Sequence, residues 1–389
     1  MCVAITGVGL VSAGQDKAVT VPGFADAHTH LLKDAAGIPF PWQETTVAAF
    51  HHKVAYADRT PMDVSEPPPP LPLAQMAVRL RSGLARAAAA GLVEVTEMGM
   101  RAWWYLDALA MLQQEGQLPV RVRIYLASGL AEEASWPELD ARRRDAGPWV
   151  NLDGVKFYAD GWLAPRTCAM CRPFTDHGGD GLLFMNAPTL ARRIEPFAAR
   201  GWRIATHAIG DRAITAVLDA YEMVWGGDMA AMATASPRIE HASVQSGELT
   251  TRIAGSGVTA CIQPSFAVTD AEQTQTALGP DRKDTAYPWN FLTSSGASLL
   301  AGSDYPIEVM EPLVGLARLV NGRSERDGFH TTASAPPGSR LDIATAFRLM
   351  SDTEAGQTQL SADPRTYPAR EIDRIEVRGT IPEPFHKNQ

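Results

Sequence analysis

Eight short apolar runs alternate with helical stretches between residues 21 and 304, and few folds accept that pattern. The runs cover residues 21–30, 91–97, 120–127, 152–159, 202–207, 238–241, 258–262 and 298–304. Helical periodicity falls near 74–90, 103–116, 131–145, 188–200, 211–225, 246–256 and 285–296, with further helices near 312–320 and 342–350. Strands that alternate with helices pair in parallel, and eight such units make a (β/α)8 TIM barrel. A doubly wound open sheet is the competing arrangement, but the first strand is not followed by the glycine fingerprint of a dinucleotide site. The expected organisation is a small, reduced β appendage built from residues 1–21 and 353–389, beside a barrel over 22–352 that carries a lid-like loop over 31–73. In the tail, Glu371-Ile-Asp-Arg-Ile-Glu-Val377 alternates like an exposed strand.

With 389 residues, 45% of them hydrophobic, the chain can bury a sizeable core. A net charge of −9 without a basic cluster argues against nucleic acid and anionic membranes as partners. No apolar run approaches a membrane span and no leader pattern opens the sequence, so a cytoplasmic location is expected. A small-molecule substrate is the expected partner, with a homodimer left open. Four cysteines do not make a disulfide framework, and Cys168 and Cys171 read as free thiols.

The strand ends carry the chemistry. In a barrel, the C-terminal ends converge on one mouth. The first strand delivers His28 and His30, which share a face at i and i+2. The fourth carries Lys156, the fifth ends in His207, the sixth in His241 and the eighth in Asp304. Imidazole and carboxylate suit zinc or a similar divalent ion. Trp103, Trp162, Phe266 and Tyr305 follow strand ends and are candidates to line a pocket for an apolar group. Arg166 and Arg212 are candidates for a substrate carboxylate or carbonyl, and His177 lies in the loop after the fourth strand. Glu240, beside His241, is expected to point to the opposite face in a buried pair.

These motifs resemble the amidohydrolase superfamily of metal-dependent barrel hydrolases, and within it the YtcJ-like branch that includes N-substituted formamide deformylases. The echoes are Pro22-Gly-Phe-Ala-Asp-Ala-His-Thr-His30, Val155-Lys-Phe-Tyr-Ala-Asp-Gly161, His207-Ala-Ile-Gly-Asp211, Ile239-Glu-His241 and Gly302-Ser-Asp304. The resemblance implies a binuclear centre of two divalent ions, zinc by expectation. His28, His30 and Asp304 would hold one ion and His207 and His241 the other, with a carbamylated Lys156 as bridge. A plain lysine paired with Asp160 beside a single metal is the alternative. The implied activity is amidohydrolase cleavage of an amide C–N bond in a small N-acyl, amino-acid-type or aryl amide. A metal-bound hydroxide would attack while Asp304 acts as general base and then acid. The superfamily's deaminases place a glutamate three residues after the fifth-strand histidine, where this chain has Gly210. A cyclic amide hydrolase or deaminase is therefore second, and a catalytically silent metal-binding protein third. The stretches before Pro22 and over 31–73 are shorter than in the family, so formamide specificity is not carried over.

Overall fold

A computed structural model describes residues 18–37, 71–176, 178–324 and 335–386. The expected β-like pieces before residue 18 and most of the lid-like loop lie outside them. The parallel strands are β1 (Val19–Thr29), β2 (Leu92–Met100), β3 (Arg121–Ala127), β4 (Val150–Tyr158), β5 (Arg203–Ala208), β6 (Arg238–His241), β7 (Thr259–Ile262) and β8 (Ser298–Ala301). They pair in chain order, each parallel to the next. Every residue of β2 is buried, as expected for a parallel strand covered on both faces.

Between β8 and β1 the contact is carried by residues just past the strand ends. Asp304 N donates to His28 O and His30 N donates to Tyr305 O, both at 2.7 Å. This brings the last stave beside the first, in the arrangement of a (β/α)8 barrel. The approach is close enough that a Cβ on Gly302 would lie 2.4 Å from His28 N. Asp26 ties the same two staves by accepting from the backbone N–H of His28 at 3.1 Å and of Ser303 at 2.9 Å.

Helices follow the strands around the outside. They include α1 (Leu31–Ala36), α2 (Leu73–Ala89), α3 (Trp104–Gln114), α4 (Ser128–Glu133), α5 (Trp136–Asp145), α6 (Ala187–Ala198), α7 (Asp211–Val224), α8 (Met229–Ala235) and α9 (Gly247–Ser256). Side-chain caps open several: Asn186 accepts from Thr189 N before α6, and Ser246 from Leu249 N before α9. Beyond β7 come α10 (Phe266–Thr269), α11 (Ala271–Leu278) and α12 (Trp289–Ser294), and beyond β8 α13 (Pro312–Asn321) and α14 (Ile343–Leu349).

The C-terminal strands β9 (Ser351–Leu360) and β10 (Val377–Pro382) extend the sheet on the β1 side in antiparallel fashion. The tail differs from the sequence expectation. Ala369–Arg374 forms a 3-10 turn, and the strand starts only at Val377. Ile372 and Ile375 are three residues apart and both buried, so the run that reads as alternation instead presents one face of a turn to the core. Among the described residues, no helix is long and apolar enough to cross a membrane.

Candidate metal centre

His28, His30, Lys156, His207, His241 and Asp304 all border a single cavity of about 240 Å³. All six are buried. The four rings form a row, with centroids 5.5 Å apart for His30 and His28, 5.0 Å for His28 and His241, and 4.5 Å for His241 and His207. Asp304 Oδ1 lies 3.5 Å from His28 Nε2 and 3.2 Å from His30 Nε2. Donor atoms of His28, His241 and Asp304 lie within 4.8 Å of one another.

Regular strand geometry alone does not produce this convergence. His241 has φ +75° and Ala242 +45°, so the chain leaves β6 through two left-handed residues, a conformation that L side chains rarely adopt. This turns His241 toward the mouth, while Glu240 shares a face with Arg238 and reaches His28 beneath the mouth; the buried pair expected of Glu240 is present, but its side chain does not point away from the site. Strict alternation does not hold across a left-handed residue, and the two neighbours serve one site.

Three histidines each spend one ring nitrogen on an acceptor. His28 Nδ1 donates to Glu240 Oε2 at 2.6 Å, His241 Nδ1 to Gln263 Oε1 at 2.8 Å, and His207 Nε2 to Gly161 O at 2.8 Å. A carbonyl or ionised carboxylate can only accept, so these contacts assign the proton to the bonded nitrogen and leave the other with its lone pair. Glu240 is fixed in turn by Arg238, whose Nε and Nη2 donate at 2.7 and 2.9 Å, and Arg238 Nη2 also donates to Ala27 O at 2.8 Å. Such outer partners orient metal-binding imidazoles and raise their basicity. Sequence reasoning missed Gln263, which belongs to no quoted motif, and did not assign the Gly161 carbonyl a role although Gly161 closes the Val155–Gly161 motif. Arg238, two residues before Glu240 on one strand, was the available signal.

The electrostatics favour lone pairs on the rings. Burial, joined by the Lys156 ammonium, lowers His28 to about 4. Burial also lowers His30, and it pushes His241 well below the ordinary range with help from His207. Burial pushes the Asp304 carboxyl up, but His28, His30 and Lys156 outweigh it and leave it below its usual value. Lys156 is lowered to about 8, chiefly by burial. Its expected alternative partner, Asp160, is engaged elsewhere: it accepts from the backbone N–H of Ala169, Ile209 and Gly210 at 2.9 to 3.0 Å.

The donor set fits a cation. Asp304 Oδ1 is buried with no hydrogen-bond partner, and the His28 lone pair faces it. Two lone-pair atoms directed at one another repel unless a positive centre lies between them.

Of the expected pocket residues, Trp162 and Phe266 line the cavity. Phe266 lies nearly parallel to His241, with centroids 6.2 Å apart. Four others do not line it. Trp103 packs under the Arg142 guanidinium, 5.1 Å from its ring centroid. Arg166 is held by Asp176 at 2.7 Å and by the carbonyls of Leu163 and Ala164, and Arg212 by Asp180 at 3.0 Å. Tyr305 turns its hydroxyl to Asp34 at 2.9 Å. In each case a neighbouring group engages the side chain away from the cavity. His177 lies outside the described residues. Cys168 and Cys171 are free thiols, the first buried and the second exposed.

A parallel barrel with imidazoles and a carboxylate gathered at its mouth presents the donor set of a metal-binding site. The sequence pattern of the amidohydrolase family matches residues 47–363, and the chain belongs to that family. It is 28% identical over 285 residues to YtcJ of Bacillus subtilis (strain 168), a protein described as an amidohydrolase, covering 68% of this chain and 52% of that protein. It is 31% identical over 169 residues to LONG AFTER FAR-RED 3 of Arabidopsis thaliana, covering 42% of this chain and 28% of the plant protein. The chain thus spans about half the length, or less, of these curated relatives. Among solved structures it is similar to an uncharacterized metal-dependent hydrolase from Pyrococcus furiosus, with a TM-score of 0.66 at 22% identity, covering 90% of this chain and 88% of the other. It is also similar to the zinc complex of atrazine chlorohydrolase TrzN from Arthrobacter aurescens TC1, with a TM-score of 0.51 at 13% identity, covering 94% and 82%. At these identities the structural likeness concerns the fold.

Proposed function

We propose that this chain hydrolyses an amide C–N bond of a small N-acyl, amino-acid-type or aryl amide with the help of divalent metal, zinc in the first instance. The observation that carries the reading is the buried Asp304 Oδ1 set 3.2 and 3.5 Å from the Nε2 atoms of His30 and His28 on the wall of a cavity. His28, His30 and Asp304 would hold one ion and His207 and His241 a second, with Lys156 between them once its amine has reacted with CO2. Bound there, the metal supplies Lewis acidity, which makes water nucleophilic at neutral pH and polarises the scissile carbonyl.

The chain's own residues do the rest. Asp304, ionised at neutral pH, takes a proton from the attacking water and returns it to the leaving nitrogen. Glu240 and Gln263 keep His28 and His241 in one orientation through the cycle. Trp162, Leu163 and Phe266 give the cavity apolar walls that keep bulk water from the reacting centre. At about 240 Å³ the cavity lies below the ~300–1,000 Å³ of pockets for drug-sized molecules, which favours a small substrate. The deaminase alternative is disfavoured at Gly210. A Cβ there would lie 2.0 Å from Ala169 O, so the position has no room for the proton-donating glutamate of deaminases.

The test is metal analysis of the purified protein followed by a screen of N-acyl amino acids, aryl amides and formamides with detection of released amine. About one or two ions per chain and amine release are expected. Absence of bound metal after zinc incubation overturns the reading, and ammonia as the sole nitrogen product moves it to deamination.

A further inference from the structure

The cavity that carries the candidate ligands also presents a carboxylate that the proposed reaction does not use. Asp270 stands between α10 and α11 and borders the cavity beside Trp162, Phe266, Tyr287 and Ile307. Its backbone N–H donates to Phe266 O at 2.9 Å, so the two residues are one helical turn apart, and the Phe266 ring lies over His241. The carboxylate is therefore set about one turn, ~5.4 Å along the helix, from the ring that covers the metal end of the cavity.

Among the described residues Asp270 forms no ion pair, and its side chain accepts one hydrogen bond, from the Tyr287 hydroxyl to Oδ2 at 3.0 Å. The nearby cation does not serve it: Arg166 is bound to Asp176 and to two backbone carbonyls. The other acid close by, Glu308, is paired with Arg318 at 3.1 Å. Around Asp270 the walls are largely aromatic and aliphatic. A half-buried carboxylate in apolar surroundings with one phenol donor has fewer donors around it than bulk water would supply, and burial raises its carboxyl to about 6. It is still mostly ionised at neutral pH. A ligand that brings N–H donors and positive charge would supply what the protein leaves out.

We propose that Asp270 is a specificity residue that selects substrates bearing a protonated amine, joined through a short apolar or aromatic segment to the amide that is cleaved. The proposal rests on the hydrolase reading of the same cavity and names its substrate class. Trp162 and Phe266 would flank the apolar segment, and the free Oδ1 of Asp270 would accept from the ammonium.

The experiment compares two acetanilides of matched shape, 4-(aminomethyl)acetanilide, which is cationic at pH 7, and 4-(hydroxymethyl)acetanilide, which is neutral. Binding is read by calorimetry on the zinc-loaded protein and again after chelator treatment, so that coordination of an amine to metal is separated from recognition by Asp270. The wild type should bind the cationic compound about tenfold more tightly or better in both states, and Asp270→Asn should bring the ratio close to one. Tyr287→Phe, which removes the competing phenol donor while leaving the carboxylate, should hold or widen the ratio. Equal affinities in the wild type, no measurable binding of either compound, or a preference that survives Asp270→Asn overturns the proposal. A preference that appears and then vanishes in Asp270→Asn, with neither compound cleaved, would leave the cation site standing and count against aryl amides in the hydrolase reading, which the metal analysis and wider amide screen test separately.

Discussion

His28 Nδ1 and Glu240 Oε2 lie 2.6 Å apart beneath the barrel mouth, and this contact joins the first stave to the sixth at the level where the candidate ligands sit. It leaves His28 Nε2 as the free nitrogen, 3.5 Å from Asp304 Oδ1. Glu240→Gln keeps the shape of the side chain but removes its charge. Metal affinity, measured by competition with a chromophoric chelator, should fall about 10- to 100-fold. Unchanged affinity would mean that His28 does not bind the ion.

One oxygen of Asp304 lies 3.5 Å from His28 Nε2 and 3.2 Å from His30 Nε2, so a single carboxylate touches both rings. Asp304→Asn should lower kcat at least about 100-fold, the scale of a lost general acid or base, while circular dichroism stays that of the wild type. Turnover at the wild-type rate would refute the proton-transfer role.

Much of the barrel was legible because its signals are local. Each strand is a short apolar run after a helix, and four histidines and Asp304 fall at strand ends. Less local features were hidden. β9 reads Ser351-Asp-Thr-Glu-Ala-Gly-Gln-Thr-Gln-Leu360, a polar segment whose pairing with β1 has no hydrophobic signature. That neighbours Glu240 and His241 both serve the site depends on left-handed backbone at His241, which no side-chain pattern announces. Arg166, Arg212 and Tyr305 follow strand ends like true pocket residues, but acidic neighbours hold them away from the cavity. Asp270 was overlooked because it sits at the junction of two short helices that only the tertiary structure turns toward the cavity.

Lys156 supplies a test of the bridge. An amine reacts with CO2 only when neutral, and burial brings Lys156 to about 8, so the reactive fraction grows as pH rises toward and past that value. Zinc content after reconstitution should rise from pH 6.5 to 8.5 and with added bicarbonate. In Lys156→Ala one ion should be lost and its partner retained, with no response to bicarbonate. Equal stoichiometry in wild type and variant would reject a bridging lysine.

Gly302 tests the seam between the first and last staves. A methyl group there would lie 2.4 Å from His28 N and 2.6 Å from His28 Cβ, so backbone must move to admit it. Gly302→Ala should cost about 1–3 kcal/mol in chemical denaturation, as overpacking does, and should weaken metal binding because His28 is displaced. A variant as stable as the wild type would show that the seam has slack.

The metal-free protein should lose stability in mild acid. His28 is lowered from 6.5 to about 4 by burial, so between those values the unfolded chain holds a proton that the folded chain does not. Stability from this group is present above about 6.5 and is lost as pH falls through about 4, up to about 3 kcal/mol. His30 and His241 are lowered too and act in the same direction. Asp26 opposes them: burial raises it to about 7 against two backbone N–H donors, so its contribution is present at low pH and lost as pH rises through about 7. Asp270, raised to about 6, and Glu308, also raised by burial, act with Asp26, so a net loss on acidification requires the three histidines to outweigh three carboxyls. On that balance, urea midpoints of chelator-treated protein should fall from pH 6.5 to 4.5, less steeply in His28→Gln and more steeply in Asp26→Asn. A midpoint that rises on acidification would mean that the carboxyls outweigh the histidines.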